Sequence, residues 1–350
     1  MIEQNFFDFY KNKNEKKKTT SSILELEIFN NTNNINNGIK NNIKTIEEIP
    51  YYSCSMHVDL DNYVEKKLNL LTNDEFKIFK QIVLEVKNLT SKFGETQLPK
   101  SSLAAAFYQS RVIKKFFPDY QNIFEVGPGS GYLSLLLSIE KKVVFNTDVT
   151  QAYYIYQHEL FKHFKVLNEL AYVNKKFIYD KGIINHIPWW IYSKLKKNDL
   201  KIDLFVFNNG ICELNNQSFD YLIYFLGLIN NPEVILIGSG QEKFYYSLYE
   251  AIKKFEYNGY NLEKNSCNNE DEIYILKYNK KKVVKNFFKS AILQRNYDRI
   301  KQMFFFYNKN KLIFKKGDVD LQTVKAFYKE INVDNKDEIL SKKLAQVNKI

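Results

Sequence analysis

The sequence predicts an α/β fold, a three-layer sandwich of helices around a mostly parallel sheet of seven strands. Three observations carry the prediction. An apolar run, Ile123-Phe124-Glu125-Val126, enters the turn Gly127-Pro128-Gly129-Ser130-Gly131 and then a helical segment. Short β-prone runs alternate with amphipathic helical segments through the middle of the chain. The last two β-prone runs, 260–263 and 272–277, are joined by a polar turn with no room for a helix, so they pair antiparallel.

The elements follow in order. Upstream, 73–93 places Phe76, Phe79, Ile82, Val83 and Val86 at helical spacing, and 101–116 reads as a second helix leading into the first strand at 123–126. Residues 142–148 form the second strand, ending in Asp148. The run 176–180 reads as the third, 203–207 as a fourth buried on both faces, and 233–237 as a fifth after Pro232. Helices at 217–228 and 244–255 lie after the fourth and fifth strands.

Three alternating glycines let a backbone turn tightly and approach a ligand, and the helix opening at Tyr132 aims free N–H groups at it. That arrangement points to a nucleotide-type cofactor. A dinucleotide fingerprint needs a glycine at the sixth place, which here is Tyr132, so a nicotinamide cofactor is disfavoured. Glu125, two residues before the first glycine, offers a carboxylate to a cation.

From Glu125 to Gly131 the chain resembles the first motif of the class I S-adenosylmethionine-dependent methyltransferases, acidic-x-Gly-x-Gly-x-Gly. The resemblance covers residues 117–278 and implies a Rossmann-like sandwich with S-adenosylmethionine as cofactor and S-adenosylhomocysteine as product. It implies that Glu125, Gly127, Pro128, Gly129 and Gly131 hold the cofactor. It sets Asp148 on the ribose hydroxyls with Val149 beside it, Asp180 at the adenine amine, and Asn208 and Asn209 at the methionine end. In many small-molecule members, helices ahead of the first strand shape the acceptor pocket. Tyr108, Gln109 and Arg111 then face substrate, or else serve ordinary packing.

The acceptor is narrowed by elimination. Enzymes acting on exocyclic amines of bases carry Pro-Pro-aromatic after the fourth strand, where this chain has Asn208-Asn209-Gly210-Ile211. Those acting on pyrimidine C5 need a nucleophilic cysteine, usually after proline, but Cys212 follows Ile211. The run from Asp148 to Gln157, Pro188-Trp189-Trp190 after His186, and Asn208 to Glu213 resemble the sugar O-methyltransferases of bacterial surface-polysaccharide clusters. A sugar, nucleotide sugar or glycan acceptor is implied, with Trp189 and Trp190 stacking on the ring. A hydroxyl is a poor nucleophile and needs a base, a metal, or both. His186, read in a loop between the third and fourth strands, is either that base or the cap of a loop. Glu213 is the alternate base or a ligand for a divalent metal.

Composition sets the outer bounds. The 350 residues are 45% hydrophobic, enough for one sizeable core. Three segments are expected: 1–116, a helical region with an Asn-rich linker at 30–42; 117–280, the cofactor-binding domain; and 281–350, a basic helical tail. Of the net charge of +11, residues 281–316 hold nine Lys and two Arg against Asp298, a net +10. That stretch either binds nucleic acid, an acidic glycan or anionic lipid, or packs its aromatics on the domain and leaves its lysines wet. No apolar run approaches a membrane span, and residues 1–18 lack the apolar centre of a secretory signal, so a cytoplasmic location is expected. Cys54, Cys212 and Cys267 are too few and too far apart for a zinc site and read as free thiols.

Overall fold

The computed structural model describes residues 6–29, 43–49, 67–68, 71–94, 96–208, 210–238, 247–268, 271–279 and 314–331. The Asn-rich stretch 30–42, the basic run 281–313, Cys54, His57 and Asn209 lie outside them. The chain divides into two compact units, Met1–Leu195 with Phe314–Ile350, and Lys196–Ile313. Its strands form one seven-stranded sheet in the order β3-β2-β1-β4-β5-β7-β6.

In the first unit β1 (Asn122–Val126), β2 (Val143–Thr147) and β3 (Ile184–His186) run parallel, with Glu125 opposite Asn146 and Asn146 opposite His186. Among the described residues four helices precede β1: α1 (Phe6–Thr20), α2 (Ile23–Phe29), α3 (Asn73–Ser91) and α4 (Ser101–Phe116). A capping box starts α3: the Thr72 hydroxyl accepts from Glu75 N while the Glu75 carboxylate accepts from Thr72 N. Helix α4 stops where Pro118 forces Phe117 out of helical geometry, to φ −135° and ψ 54°. Between β1 and β2 lies α5 (Tyr132–Ile139), apolar nearly all round and buried from Tyr132 to Ser138, as a helix between two layers must be. After β2 come α6 (Gln151–His163) and α7 (Leu170–Asn174), and after β3 the single turn α8 (Trp189–Tyr192). The C-terminal α11 (Leu321–Glu330) lays Phe327 and Tyr328 edge-on to Phe76 and Phe79 of α3.

The third strand is a correction to the sequence reading. Residues 176–180 are not a strand; Ile178 is instead held on both sides by the Asn185 side chain, donating N–H to Oδ1 at 2.9 Å and accepting from Nδ2 at 2.8 Å. The more apolar run lost to 184–186 because Asn185 satisfies its backbone and leaves β3 to complete the ladder beside β2.

In the second unit β4 (Leu204–Asn208) and β5 (Glu233–Ile237) are parallel, and β5 pairs antiparallel with β7 (Asp271–Tyr278). The strand β6 (Tyr260–Asn268) completes the expected antiparallel pair with β7, its register shifting between Leu262 and Lys264. Its described helices are α9 (Asn216–Leu228), capped by Asn215, and α10 (Leu248–Tyr257), opened by a Ser247–Glu250 capping box. Cys212 is fully buried, in keeping with an inert thiol. No helix among the described residues is long and apolar enough to cross a membrane.

Candidate functional site

The carboxyl ends of β1 and β2 are joined by the glycine turn. Gly127, Gly129 and Gly131 all take positive φ (62°, 57° and 78°), the left-handed region that L side chains rarely adopt. Gly127 N donates to Thr147 O at 3.0 Å, tying the turn to β2, and Gly131 N donates to Pro128 O at 2.9 Å. The two outer glycines differ in surroundings. A Cβ on Gly131 would stand 3.0 Å from Phe161 Cζ and 3.1 Å from Gln157 Cγ, whereas one on Gly127 would meet nothing within 4 Å. Gly131 is required by packing. Gly127 borders open space, where a ligand can approach the backbone.

Gln157 fastens this turn to the acid at the end of β2. Its Nε2 donates to Gly129 O at 2.7 Å and to Asp148 Oδ2 at 3.0 Å, while Thr150 N donates to Asp148 Oδ1 at 2.9 Å. Gln157 Oε1 is buried without a hydrogen-bond partner. So is the Tyr10 hydroxyl, brought in from α1 by the stacking of its ring on Tyr154. Burial, and then the Asp148 charge, hold that phenol far above its ordinary pKa. Val149, next to Asp148, stays 40% exposed, an apolar surface left beside the acid. These unpartnered polar atoms, open backbone and exposed apolar side chain fit a nucleoside with a diol and a flat base.

Behind the turn runs a chain of buried polar groups. Ser134 Oγ, on α5, donates to Glu125 Oε2 at 2.5 Å and accepts from Asn146 Nδ2 at 2.9 Å. Asn146 Oδ1 lies 2.7 Å from His186 Nδ1, and His186 Nε2 lies 3.0 Å from Tyr154 O. Glu125, Ser134, Asn146 and His186 are all 0% exposed. The His186 ring stacks on Tyr154 at 3.7 Å, and burial lowers its pKa to about 3.

Several expected site residues sit elsewhere. His186 is the last residue of β3, with both ring nitrogens engaged inside the sheet, so it is neither in a loop nor placed to take a substrate proton. Asp180 is exposed and belongs to the turn before β3, at the amino end of the strands, whereas Asp148 follows the carboxyl end of β2. Trp189 and Trp190 offer no open face: Trp189 donates to Asn14 Oδ1 at 2.9 Å and stacks on Phe29, and Trp190 packs on Tyr10. Arg111 clamps Glu75 of α3 in a two-pronged ion pair, with Nε to Oε1 at 2.9 Å. Tyr108 is buried under Lys67 and edge-on to Phe314, and Gln109 is buried beside it.

In the second unit Asn208 ends β4 half-buried and accepts at its carbonyl from Gly210 N at 2.6 Å. Glu213 closes the short 3₁₀ turn Ile211–Glu213, where burial raises its carboxyl pKa. Among the described residues no group of His, Cys, Asp and Glu could hold a metal ion. Sequence reasoning missed Tyr10, Ser134, Asn146 and Gln157. The position of Asn146 in an apolar strand, two residues before Asp148, was the one available signal.

A mostly parallel seven-stranded sheet flanked by helices and closed by an antiparallel β7 makes a Rossmann-like fold, consistent with that of the class I methyltransferases. The chain is similar in structure to the TehB-like SAM-dependent methyltransferase of Corynebacterium glutamicum (15% identity, 49% of this chain and 87% of that one, TM-score 0.37). It is likewise similar to the magnesium protoporphyrin IX methyltransferase of Synechocystis with bound SAH (11%, 62% and 99%, TM-score 0.37). A third is the ribosomal protein L11 methylase of Lactobacillus delbrueckii (17%, 50% and 79%, TM-score 0.33). No protein-family model matches the chain, and no curated protein is similar to it.

Proposed function

We propose that the protein is an S-adenosylmethionine-dependent methyltransferase that methylates a hydroxyl of a sugar or glycan. The observation that carries the cofactor is the Gln157 bridge between Gly129 and Asp148, with an unpartnered Gln157 Oε1 and open space at Gly127. Asp148 would accept from the ribose diol, Val149 would lie against the base, and Glu125 would face the cationic methionine end. Asn208 and Asn209 are assigned to that end as well. When bound, the cofactor supplies a methyl group on a sulfonium, whose charge is lost as the methyl leaves.

The acceptor rests on the resemblance of 148–157 and 208–213 to sugar O-methyltransferases and on Glu213. A carboxylate whose pKa is raised by burial is a better base than an ordinary one, and we assign it the hydroxyl proton. Calorimetric titration with S-adenosylmethionine, S-adenosylhomocysteine and NADH tests the cofactor; saturable binding of the first two alone is expected, and binding of NADH alone would return the chain to the dehydrogenases. Turnover is then sought with nucleotide sugars and glycans, where Glu213→Gln should lower kcat by about 10² or more with cofactor affinity unchanged. Unchanged kcat would remove Glu213 as the base. The net +10 of 281–316 favours one second reading, an RNA acceptor, which tight and salt-sensitive RNA binding would support.

A further inference from the structure

Each contact between Tyr154 O and Glu125 joins groups whose donor and acceptor roles chemistry restricts. A backbone carbonyl only accepts, an ionised carboxylate only accepts, and an amide presents one side of each kind. With Asn146 Oδ1 toward His186, the Asn146 amide donates to Ser134 and Ser134 donates to Glu125. Both ring nitrogens of His186 then face acceptors and must both carry protons, so the chain holds an imidazolium at one end and a carboxylate at the other.

Turning the Asn146 amide over reverses every direction. Asn146 Nδ2 now donates to Nδ1 of a neutral His186, whose Nε2–H still reaches Tyr154 O. Ser134 donates to Asn146 and must accept from Glu125, which therefore carries a proton. The two arrangements contain the same number of protons. Passing from the second to the first, the O–H bond at Glu125 breaks and an N–H bond at His186 Nδ1 forms. Ser134 and Asn146 each take a proton on one side and release one on the other, and the imidic acid this leaves on Asn146 returns to the amide in its turned orientation, with nothing lost to solvent.

We propose that His186 is a positioning residue for the cofactor site, taking up the Glu125 proton through Ser134 and Asn146 when a cation arrives, so that the carboxylate charge is created inside the protein. This rests on the S-adenosylmethionine reading above, which supplies the cation. Burial lowers the His186 pKa and so favours the neutral arrangement when no cation is present. The cation stabilises Glu125 as carboxylate, and the fixed hydrogen-bond directions then require the second proton on His186.

The groups around the ring leave that proton to the chain. From α6, Tyr154 stacks on it with its phenol pKa raised by burial and its hydroxyl donating to His186 O at 3.0 Å. Also from α6, Phe161 stands edge-on at 5.4 Å, and His158 is held neutral by burial first and by His186 second. From α1, Tyr10 stacks on Tyr154 with its phenol protonated. Asn146 contributes from β2, two residues before Asp148.

The test is 15N NMR of the full chain labelled at histidine, with His186 assigned by comparison with His57→Gln, His158→Phe and His163→Gln. Without ligand, His186 should show a neutral ring protonated at Nε2. With saturating S-adenosylmethionine between pH 5.5 and 7 it should show both nitrogens protonated, a response lost in Ser134→Ala and kept in Ser134→Thr. A ring that stays neutral in the saturated protein overturns the proposal. If the unaltered protein does not bind S-adenosylmethionine, the cofactor reading falls, and the chain is judged without ligand. His186 shifts that change in Ser134→Ala then support the coupling, and unchanged shifts refute it.

Discussion

Gly127 and Gly131 look alike in the sequence, and the structure separates them by what an added methyl would meet. Both sit at positive φ, so alanine at either costs about 1–2 kcal/mol of backbone strain. At Gly127 the methyl enters open space, and the stability loss should stay near that strain. At Gly131 it would stand 3.0 Å from the Phe161 ring and 3.1 Å from Gln157, adding about 1–3 kcal/mol of overpacking. Binding should separate in the other sense. The Gly127 methyl occupies space we assign to the cofactor, so S-adenosylmethionine affinity should fall at least about tenfold, equivalent to about 1.4 kcal/mol, in a protein that is otherwise folded. Urea unfolding followed by circular dichroism reads the first quantity, and calorimetric titration the second. A Gly127→Ala protein that binds as tightly as the parent would mean that no ligand approaches this turn. A Gly131→Ala protein no less stable than Gly127→Ala would refute the packing argument.

The ion pair of Arg111 and Glu75 should be structural, so Arg111→Ala should cost about 1–2 kcal/mol in urea unfolding and leave the acceptor KM unchanged. Burial opposes the charge on Glu75, yet Arg111 and Thr72 hold its pKa below the ordinary carboxylate value. The stabilisation is therefore present above the unfolded pKa near 4.5 and is lost as pH falls through the lower folded one, where parent and variant should converge. His158 and His186 behave oppositely to a paired histidine: burial lowers both, the unfolded chain takes up protons first, and stability should fall as pH drops from about 6.5 toward 3. Each contributes at most about 1.4 kcal/mol per pH unit, and His158→Phe should flatten the slope measured by urea unfolding. Trp189→Phe should cost about 1–3 kcal/mol by stranding Asn14, and should leave acceptor affinity unchanged if the indole is packing rather than a sugar platform.

The glycine turn, Asp148 and the closing antiparallel pair were legible because each depends on local rules: positive φ, a strand end, a connection too short for a helix. Helix α1 was not. Its buried side chains, Phe7, Tyr10 and Asn14, lie among lysines and asparagines with no clear apolar stripe to mark them. The partners of Tyr10 and Asn14 are over a hundred residues away, on α6 and α8. The same distance explains Trp189 and Trp190, whose aromatic faces suggest a sugar until α1 and α2 are known to cover them. Arg111 illustrates a third limit, since a cation at a helix surface carries no mark of whether its partner is substrate or Glu75.

The third strand shows what the sequence did contain. A parallel strand buried on both faces is ordinarily apolar throughout, and stability alone would favour valine or isoleucine at every position. Here β1 turns from Ile123-Phe124 to Glu125, β2 from Val143-Val144-Phe145 to Asn146-Thr147, and β4 from Leu204-Phe205-Val206-Phe207 to Asn208. Each changes from apolar to polar toward its carboxyl end, the end at which open α/β sheets bind their ligands. Two runs competed for the third place. Phe177-Ile178-Tyr179 runs into Asp180 and Ile183-Ile184 into Asn185-His186, so both repeat the change; the protein uses the second, where Asn185 bonds the Ile178 backbone and His186 bonds Asn146. Polar residues at that end desolvate at a cost unless each has a partner, which is why Glu125, Asn146 and His186 are bonded to one another through Ser134. The polar carboxyl end of the sheet and the network that links the glycine turn to β3 therefore have one cause: Glu125, Asn146 and His186, kept polar at that end and then buried, find partners in one another through Ser134.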